Sequence, residues 1–152
     1  MQNTRGMVVD LNQVKVRIME ITDYDLVIDL WKSIEGIGLS DADSRDNIKR
    51  FLHRNPGLSL VAQKDSELVG AVLCGNDGRR GYLHHLAVRK DQRLKGIGKE
   101  LVRNCLQRLK IAGTNKCHLF VFRENEQGIG FWTKNGWQTR LDLHIMSRLT
   151  ID

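Results

Sequence analysis

An apolar run from Tyr82 to Val88 leads through a basic stretch into Arg93-Leu94-Lys95-Gly96-Ile97-Gly98, which opens a long segment ending near Gly113. That segment carries Ile97, Leu101, Val102, Cys105, Leu106 and Leu109 at helical spacing, so the order is strand, glycine turn, amphipathic helix. Glycine at 96 and at 98 removes Cβ atoms where a ligand must approach the main chain and lets the backbone take strained angles. The N–H groups so exposed, together with the free donors and positive dipole end of the helix, form a concave site suited to a pyrophosphate.

Two better-known glycine motifs do not fit. A dinucleotide fingerprint needs a third glycine where Leu101 stands, and a P-loop needs Ser or Thr where Glu100 follows Lys99. An isolated Gly-x-Gly is an ordinary helix-entry turn; the strand before it and the helix after it set this one apart.

The chain has 152 residues, 41% hydrophobic and 28% charged, the size and balance of one globular domain with a real core. Residues 14–150 are expected to form that domain and residues 1–13 a flexible extension. No apolar run reaches bilayer length and the start lacks the apolar block of a secretory signal, so the expected location is cytoplasmic. Cys74, Cys105 and Cys117 lie far apart in apolar segments and read as buried thiols, with no disulfide or metal site expected. The net charge of +6 gathers partly around the glycine turn, at Arg89, Lys90, Arg93, Lys95 and Lys99. It suits either a polyphosphate ligand or a solvated basic face.

The coarse order of elements is a strand at 14–18, helices at 23–34 and 44–53, strands at 58–63 and 68–74, then the central strand and helix. A strand at 118–122, a short helix at 127–134 and weaker strands at 137–141 and 144–149 complete it. In the first helix Leu26, Val27, Leu30, Trp31 and Ile34 recur at helical spacing. Lys64 to Glu67 reads as a hairpin turn, Leu68 to Cys74 as a strand covered on both faces, and Gly36 to Asp43 as a mobile turn.

The strand, turn and helix resemble the core of the GNAT superfamily of acetyl-CoA-dependent N-acetyltransferases, with Arg93, Gly96 and Gly98 at the defining positions of its Arg/Gln-x-x-Gly-x-Gly/Ala motif. A second block, Asn125 to Trp137, resembles that family's Asn-x5-Phe-Tyr-x-Lys-x-Gly-Phe. The resemblance covers roughly 14–150. It implies an α/β (α+β) fold, a mixed, mostly antiparallel sheet of roughly six or seven strands flanked by about four helices, with the fourth and fifth strands splayed apart. It also implies acetyl-CoA as co-substrate. The pyrophosphate would lie on the main chain of Arg93, Leu94, Lys95, Gly96, Ile97, Gly98 and Lys99, and the pantetheine along Leu86, Ala87 and Val88, with Asn125 and Trp132 near the cofactor.

The reaction implied is direct attack of a primary amine on the thioester. The amine belongs to a small molecule, a polyamine, or a protein lysine or N-terminus, and the protein is a monomer or homodimer. A lysine amine with a pKa near 10.4 is neutral at pH 7 in roughly one molecule in two thousand, so a base matters. The acidic residue some members carry at the position of Tyr82 or Phe120 is absent here. His84 stands where arylalkylamine acetyltransferases carry a histidine; it is either the base or a polar member of the sheet face. Strict alternation puts Tyr82, His84 and Leu86 on one face and Leu83 and His85 on the other. Trp132 replaces the tyrosine that commonly protonates the departing thiolate. Tyr82 and Tyr24 are left as the only tyrosines, unless the thiolate leaves unaided.

The rival reading is an acyl-CoA-binding regulator that has lost catalysis. A nucleic-acid-binding module rests on basicity alone and ranks below both. Asp23, Asp25, Glu35, Asp41 and Asp43 would attract a cationic amine or, the reading favoured, serve as helix-start and loop residues.

Overall fold

A computed structural model describes residues 13–151, so all of the expected extension except Gln13 lies outside the described residues. They fall into two compact units, 13–120 and 121–151. In the first, β1 (Val14–Ile18), β2 (Leu60–Lys64), β3 (Glu67–Asn76) and β4 (Gly81–Val88) pair antiparallel in chain order, and β5 (Cys117–Leu119) joins β4 in parallel. Helices α1 (Tyr24–Lys32) and α2 (Arg45–Arg54) lie between β1 and β2 in the chain. Helix α3 (Ile97–Ile111) supplies the crossover that a parallel β4–β5 pair requires.

This is the expected mixed α/β architecture, and most elements lie within a few residues of their expected bounds. Helix α2 starts at Ser44, whose Oγ accepts the Asn47 N–H, and stops before Pro56. Helix α3 ends where Gly113 takes φ 89° and the Thr114 N–H reaches back to the Leu109 carbonyl. Between β2 and β3 the turn is Asp65-Ser66, with Asp65 at φ 55°, a conformation aspartate tolerates.

Strand β3 is buried from Val69 to Gly75 because it is covered on both faces. On one, Ala71 and Leu73 join Val27, Leu30, Trp31 and Ile48 of α1 and α2. On the other lies α3: a Cβ on Gly70 would sit 3.1 Å from Leu101 Cδ1, and one on Gly81 of β4 only 2.6 Å from Leu109 Cδ1. Two residues assigned to apolar stripes lie outside them, Leu26 at 57% exposed and Leu106 at 39%, each on the margin of its helix.

The segment expected to be a mobile turn, Gly36 to Asp43, is tied down at its end. The Ser40 N–H donates to Asp43 Oδ2, the Ala42 N–H to Ser40 Oγ, and the Tyr24 hydroxyl to the Asp43 carbonyl, forming a short 3-10 turn at Asp41–Asp43. Polarity read as looseness here reflects a capping network.

The second unit holds α4 (Glu126–Lys134). The strands expected at 137–141 and 144–149 are not formed, which leaves five strands among the described residues instead of six or seven. Alternating Leu141, Leu143 and Ile145 have the right pattern, yet a strand also needs a neighbour to complete its hydrogen bonds, and an isolated hairpin is marginal in water.

Because Leu109 is itself buried, Gly81→Ala should destabilise the fold by about 1–3 kcal/mol through overpacking. Adding Leu109→Val should recover part of that loss, as measured by the denaturant midpoint.

Candidate active site

The register of β3 with β4 breaks in the middle. Leu73 pairs with His84 and Ala71 with Ala87, so Val72 opposes two residues, His85 and Leu86. This β-bulge carries His85 at φ 54°, in the left-handed region that non-glycine residues seldom occupy. Strict alternation is therefore broken, and two expectations fail. His85 does not follow Leu83 to the opposite face: its ring centroid lies 5.0 Å from that of Trp31, and its Nε2 lies 2.9 Å from Asp43 Oδ1. Ala87 rather than Leu86 shares the face of His84, since their partners Ala71 and Leu73 are two apart on one strand.

His84 and His85 thus stand on the same side of the sheet, ring centroids 6.5 Å apart. His84 stacks on Tyr82 at 6.3 Å with planes 5° apart and meets Phe51 of α2 edge-on at 6.1 Å. It borders two cavities. One of about 550 Å³ lies between α2 and the ends of β3 and β4, with Arg50, Arg54, Asp41 and Tyr82 in its wall. The other, about 310 Å³, is walled by both imidazoles, Asp43, Leu73 and Phe51. Burial, with the neighbouring His85, holds the His84 imidazole below its ordinary pKa against an opposing pull from Asp43. His84 is therefore a neutral proton acceptor at neutral pH.

Past Leu83 the other edge of β4 has no partner strand among the described residues, because the parallel register with β5 stops at Leu83↔Leu119. The expected splay is present. Its main chain runs on through a 3-10 turn, Lys90–Gln92, into the glycine turn. Leu94 has φ 62° and is fully exposed, and Gly96 has φ 83° and caps α3. The first helical hydrogen bond runs from the Glu100 N–H to the Gly96 carbonyl, so the N–H groups of Ile97, Gly98 and Lys99 have no helical acceptor. Gly98 lies inside the helix without a positive φ, so the strained angle expected of both glycines belongs to Gly96 alone. Among the basic residues nearby, Arg89 is committed to Glu67 and Asp91, and Arg93 donates from Nε to the Val88 carbonyl at 3.3 Å. Lys95 and Lys99 are exposed.

Within the second unit Asn125 caps α4, its Oδ1 accepting the Gly128 N–H at 2.9 Å. Trp132 packs edge-on against Phe131 and Trp137 at 5.0 and 5.1 Å. The thiol of Cys117 is pushed up to about 12 by burial, which removes it as a nucleophile at neutral pH.

The sequence profile of the acetyltransferase (GNAT) family matches residues 24–137, which contain the central strand, the turn, α3 and the Asn125 block. The chain belongs to that family. The acetyltransferase is 34% identical over 139 residues to an acetyltransferase of Pectobacterium atrosepticum, covering 91% of this chain and 98% of the relative. It is 30% identical, with the same coverage, to an acetyltransferase of Yersinia pestis. In fold it is similar to the PaiA N-acetyltransferase of Thermoplasma acidophilum in complex with coenzyme A, at a TM-score of 0.70 and 23% identity over 84% of this chain and 91% of the other. It is also similar to an aminoglycoside acetyltransferase from an uncultured soil metagenomic sample in complex with sisomicin, with a TM-score of 0.72, 17% identity, and 91% and 98% coverage.

Sequence reasoning named Asp43 only among several acids and His85 on the opposite face, and missed that the two pair beside the cavity. The adjacent histidines were visible, but the bulge that turns both to one side depends on pairing with β3. For His84 the folded-state pKa lies below the unfolded value, so the unfolded chain binds the proton more readily. Its contribution to stability is complete above pH ~6.5 and is lost as pH falls from there through the folded value. Ring-proton NMR should find His84 titrating below 6.5, and His85→Asn should raise that value by removing a like charge.

Proposed function

We propose that this acetyltransferase carries the acetyl group of acetyl-CoA to a primary amine by direct attack in a ternary complex in the cytoplasm. The acceptor is a small amine, a polyamine, or a protein lysine or N-terminus. The observation that carries this reading is the order of features along one strand. Tyr82 and His84 wall a cavity, the edge past Leu83 lacks a β5 partner, and the left-handed turn at Gly96 opens α3.

Each part fits a portion of the co-substrate. The N–H groups of Ile97, Gly98 and Lys99 converge at a helix N-terminus, where an anion is favoured, and nothing lies within 4 Å of the direction a Cβ on Gly96 would take. Lys95 and Lys99 add positive charge, and the main chain from Arg93 and Leu94 onward completes the cradle. The free edge of Leu86, Ala87 and Val88 would bond an amide-bearing arm as an added strand. Acetyl-CoA supplies an activated acyl carbon and a stable leaving thiolate.

The side chains then handle protons. His84, neutral at working pH, accepts one from the attacking nitrogen. Tyr82 is the available acid: the Tyr24 hydroxyl is engaged with the Asp43 carbonyl, whereas that of Tyr82 has no partner among the described residues.

Calorimetry should find acetyl-CoA binding, and thiol release should depend on an added amine. Gly96→Ala should disfavour the turn at φ 83° by ~1–2 kcal/mol, so that the free chain leaves it and binding that requires it weakens by up to roughly tenfold. His84→Ala should lower turnover by about 10²-fold or more with little effect on cofactor affinity. Binding without turnover across amines, peptides and polyamines would replace the enzyme by an acyl-CoA-binding regulator, and no binding at all would remove both.

A further inference from the structure

An ammonium nitrogen carries three hydrogens and the amide made from it carries one, so acylation of a cationic amine requires two protons to leave nitrogen. His84 accounts for one. The second imidazole on the wall, His85, is held in a way that sequence alternation did not foresee. We propose that His85, positioned by Asp43, is a second catalytic base that takes the first proton from the acceptor's ammonium group, before His84 takes the second. The inference rests on the acetyl-transfer reading above.

Geometry defines the tautomer. An ionised carboxylate can only accept, and Asp43 Oδ2 already accepts the Ser40 N–H at 3.0 Å while Oδ1 faces His85 Nε2 at 2.9 Å. When the ring is neutral its hydrogen therefore sits on Nε2, and Nδ1 keeps its lone pair. The side chains of Asp43 and His85 are only 8% and 20% exposed, so the carboxylate stabilises the imidazolium that forms when Nδ1 takes a proton. Trp31 packs edge-on against the ring, and the left-handed backbone at His85 aims it to the cavity side. Such strained positions persist where their surroundings over-determine them, often at functional sites.

The two bases have different environments. Asp43 and His84 are the titratable groups that share the smaller cavity with His85; α1 and α2 bring Trp31, Ile48 and Phe51 to this side, none of which titrates. His84 has no carboxylate within hydrogen-bond distance among the described residues, and it shares the wall of the larger cavity with Asp41, Asp77, Arg50 and Arg54. Paired groups whose surroundings differ in this way divide the work of one reaction.

The steps balance. An N–H proton passes from the ammonium to His85 Nδ1, leaving its electron pair on nitrogen. That pair forms the C–N bond to the acyl carbon, and a second N–H proton goes to His84. The C–S bond breaks with its pair on sulfur, and the thiolate takes a proton from Tyr82 or water. The histidines return two protons to solvent, so one is released overall.

The test uses two acceptors of nearly the same shape, ethylamine, protonated at pH 7, and the weakly basic 2,2,2-trifluoroethylamine, mostly neutral there. Asp43→Asn and His85→Asn should each lower turnover of ethylamine by ~10²-fold or more and that of the fluorinated amine by far less, with the ethylamine defect shrinking as pH rises. His84→Ala should penalise both amines alike, and acetyl-CoA binding should be unchanged in all three. Independently of turnover, ring-nitrogen NMR of the free wild-type protein, at a pH where the His85 ring is neutral, should show it protonated at Nε2 and bare at Nδ1. Equal losses for the two amines, no loss in either variant, or hydrogen on Nδ1 would overturn the second base. Failure of the wild-type protein to bind acetyl-CoA would instead overturn the acetyl-transfer reading itself.

Discussion

The mismatch between β3 and β4, two residues of one strand set against Val72 of the other, is the constraint on which the arrangement of this site depends. A bulge reverses the facing of every residue beyond it, because side-chain direction in a strand has a period of two. On one side of the break Tyr82 and His84 look toward α1 and α2; on the other Ala87 does, and Leu86 does not. The extra residue, His85, is accommodated only by a left-handed backbone, and its ring is then held by Asp43 and Trp31. Without the bulge the cavity wall would carry one imidazole, with the other directed into the packing against α3.

The same strand ends its partnership with β5 at Leu83, and this second interruption gives the site its other half. Hydrogen-bonding groups left over on an edge are usually a liability, to be covered or blunted. Here they lie between a cavity and a turn whose amides are also unpaired by the helix they begin. The sheet behind them is rigid: β3 is buried on both faces, with Leu101 and Leu109 on one side and Trp31 and Ile48 on the other. The unpaired main chain between the cavity and the turn thus sits on a well-packed support.

Electrostatics follow from burial rather than from net charge. Among the basic residues near the turn, Arg89 is neutralised by Glu67 and Asp91, and Arg93 folds onto the end of β4, so Lys90, Lys95 and Lys99 are the exposed cations. Among the acids of the first helical region, Asp23 is held below its ordinary pKa by its hydrogen bond with Arg17. Asp43 is the one turned toward a histidine. Counting charges treats these residues as equivalent, whereas their partners separate structural pairs from groups that face a cavity.

Helical and strand periodicity, the breakers Pro56 and Gly113, and the spacing of Arg93, Gly96 and Gly98 were enough to determine the order of elements as far as α4, the family and the glycine turn that opens α3. Those features are local: each depends on residues close in sequence. The weaker C-terminal strands were legible only as a pattern, since forming them requires a hydrogen-bonding neighbour that alternation cannot supply. Tertiary structure alone decided that His85 joins His84 and that Asp43, far away in the chain, is its partner. It also decided that the segment from Gly36 is anchored at its end, Ser40 to Asp43. A bulge, a cross-chain hydrogen bond and the end of a strand pair arise from register between distant segments, and no single stretch of sequence records them.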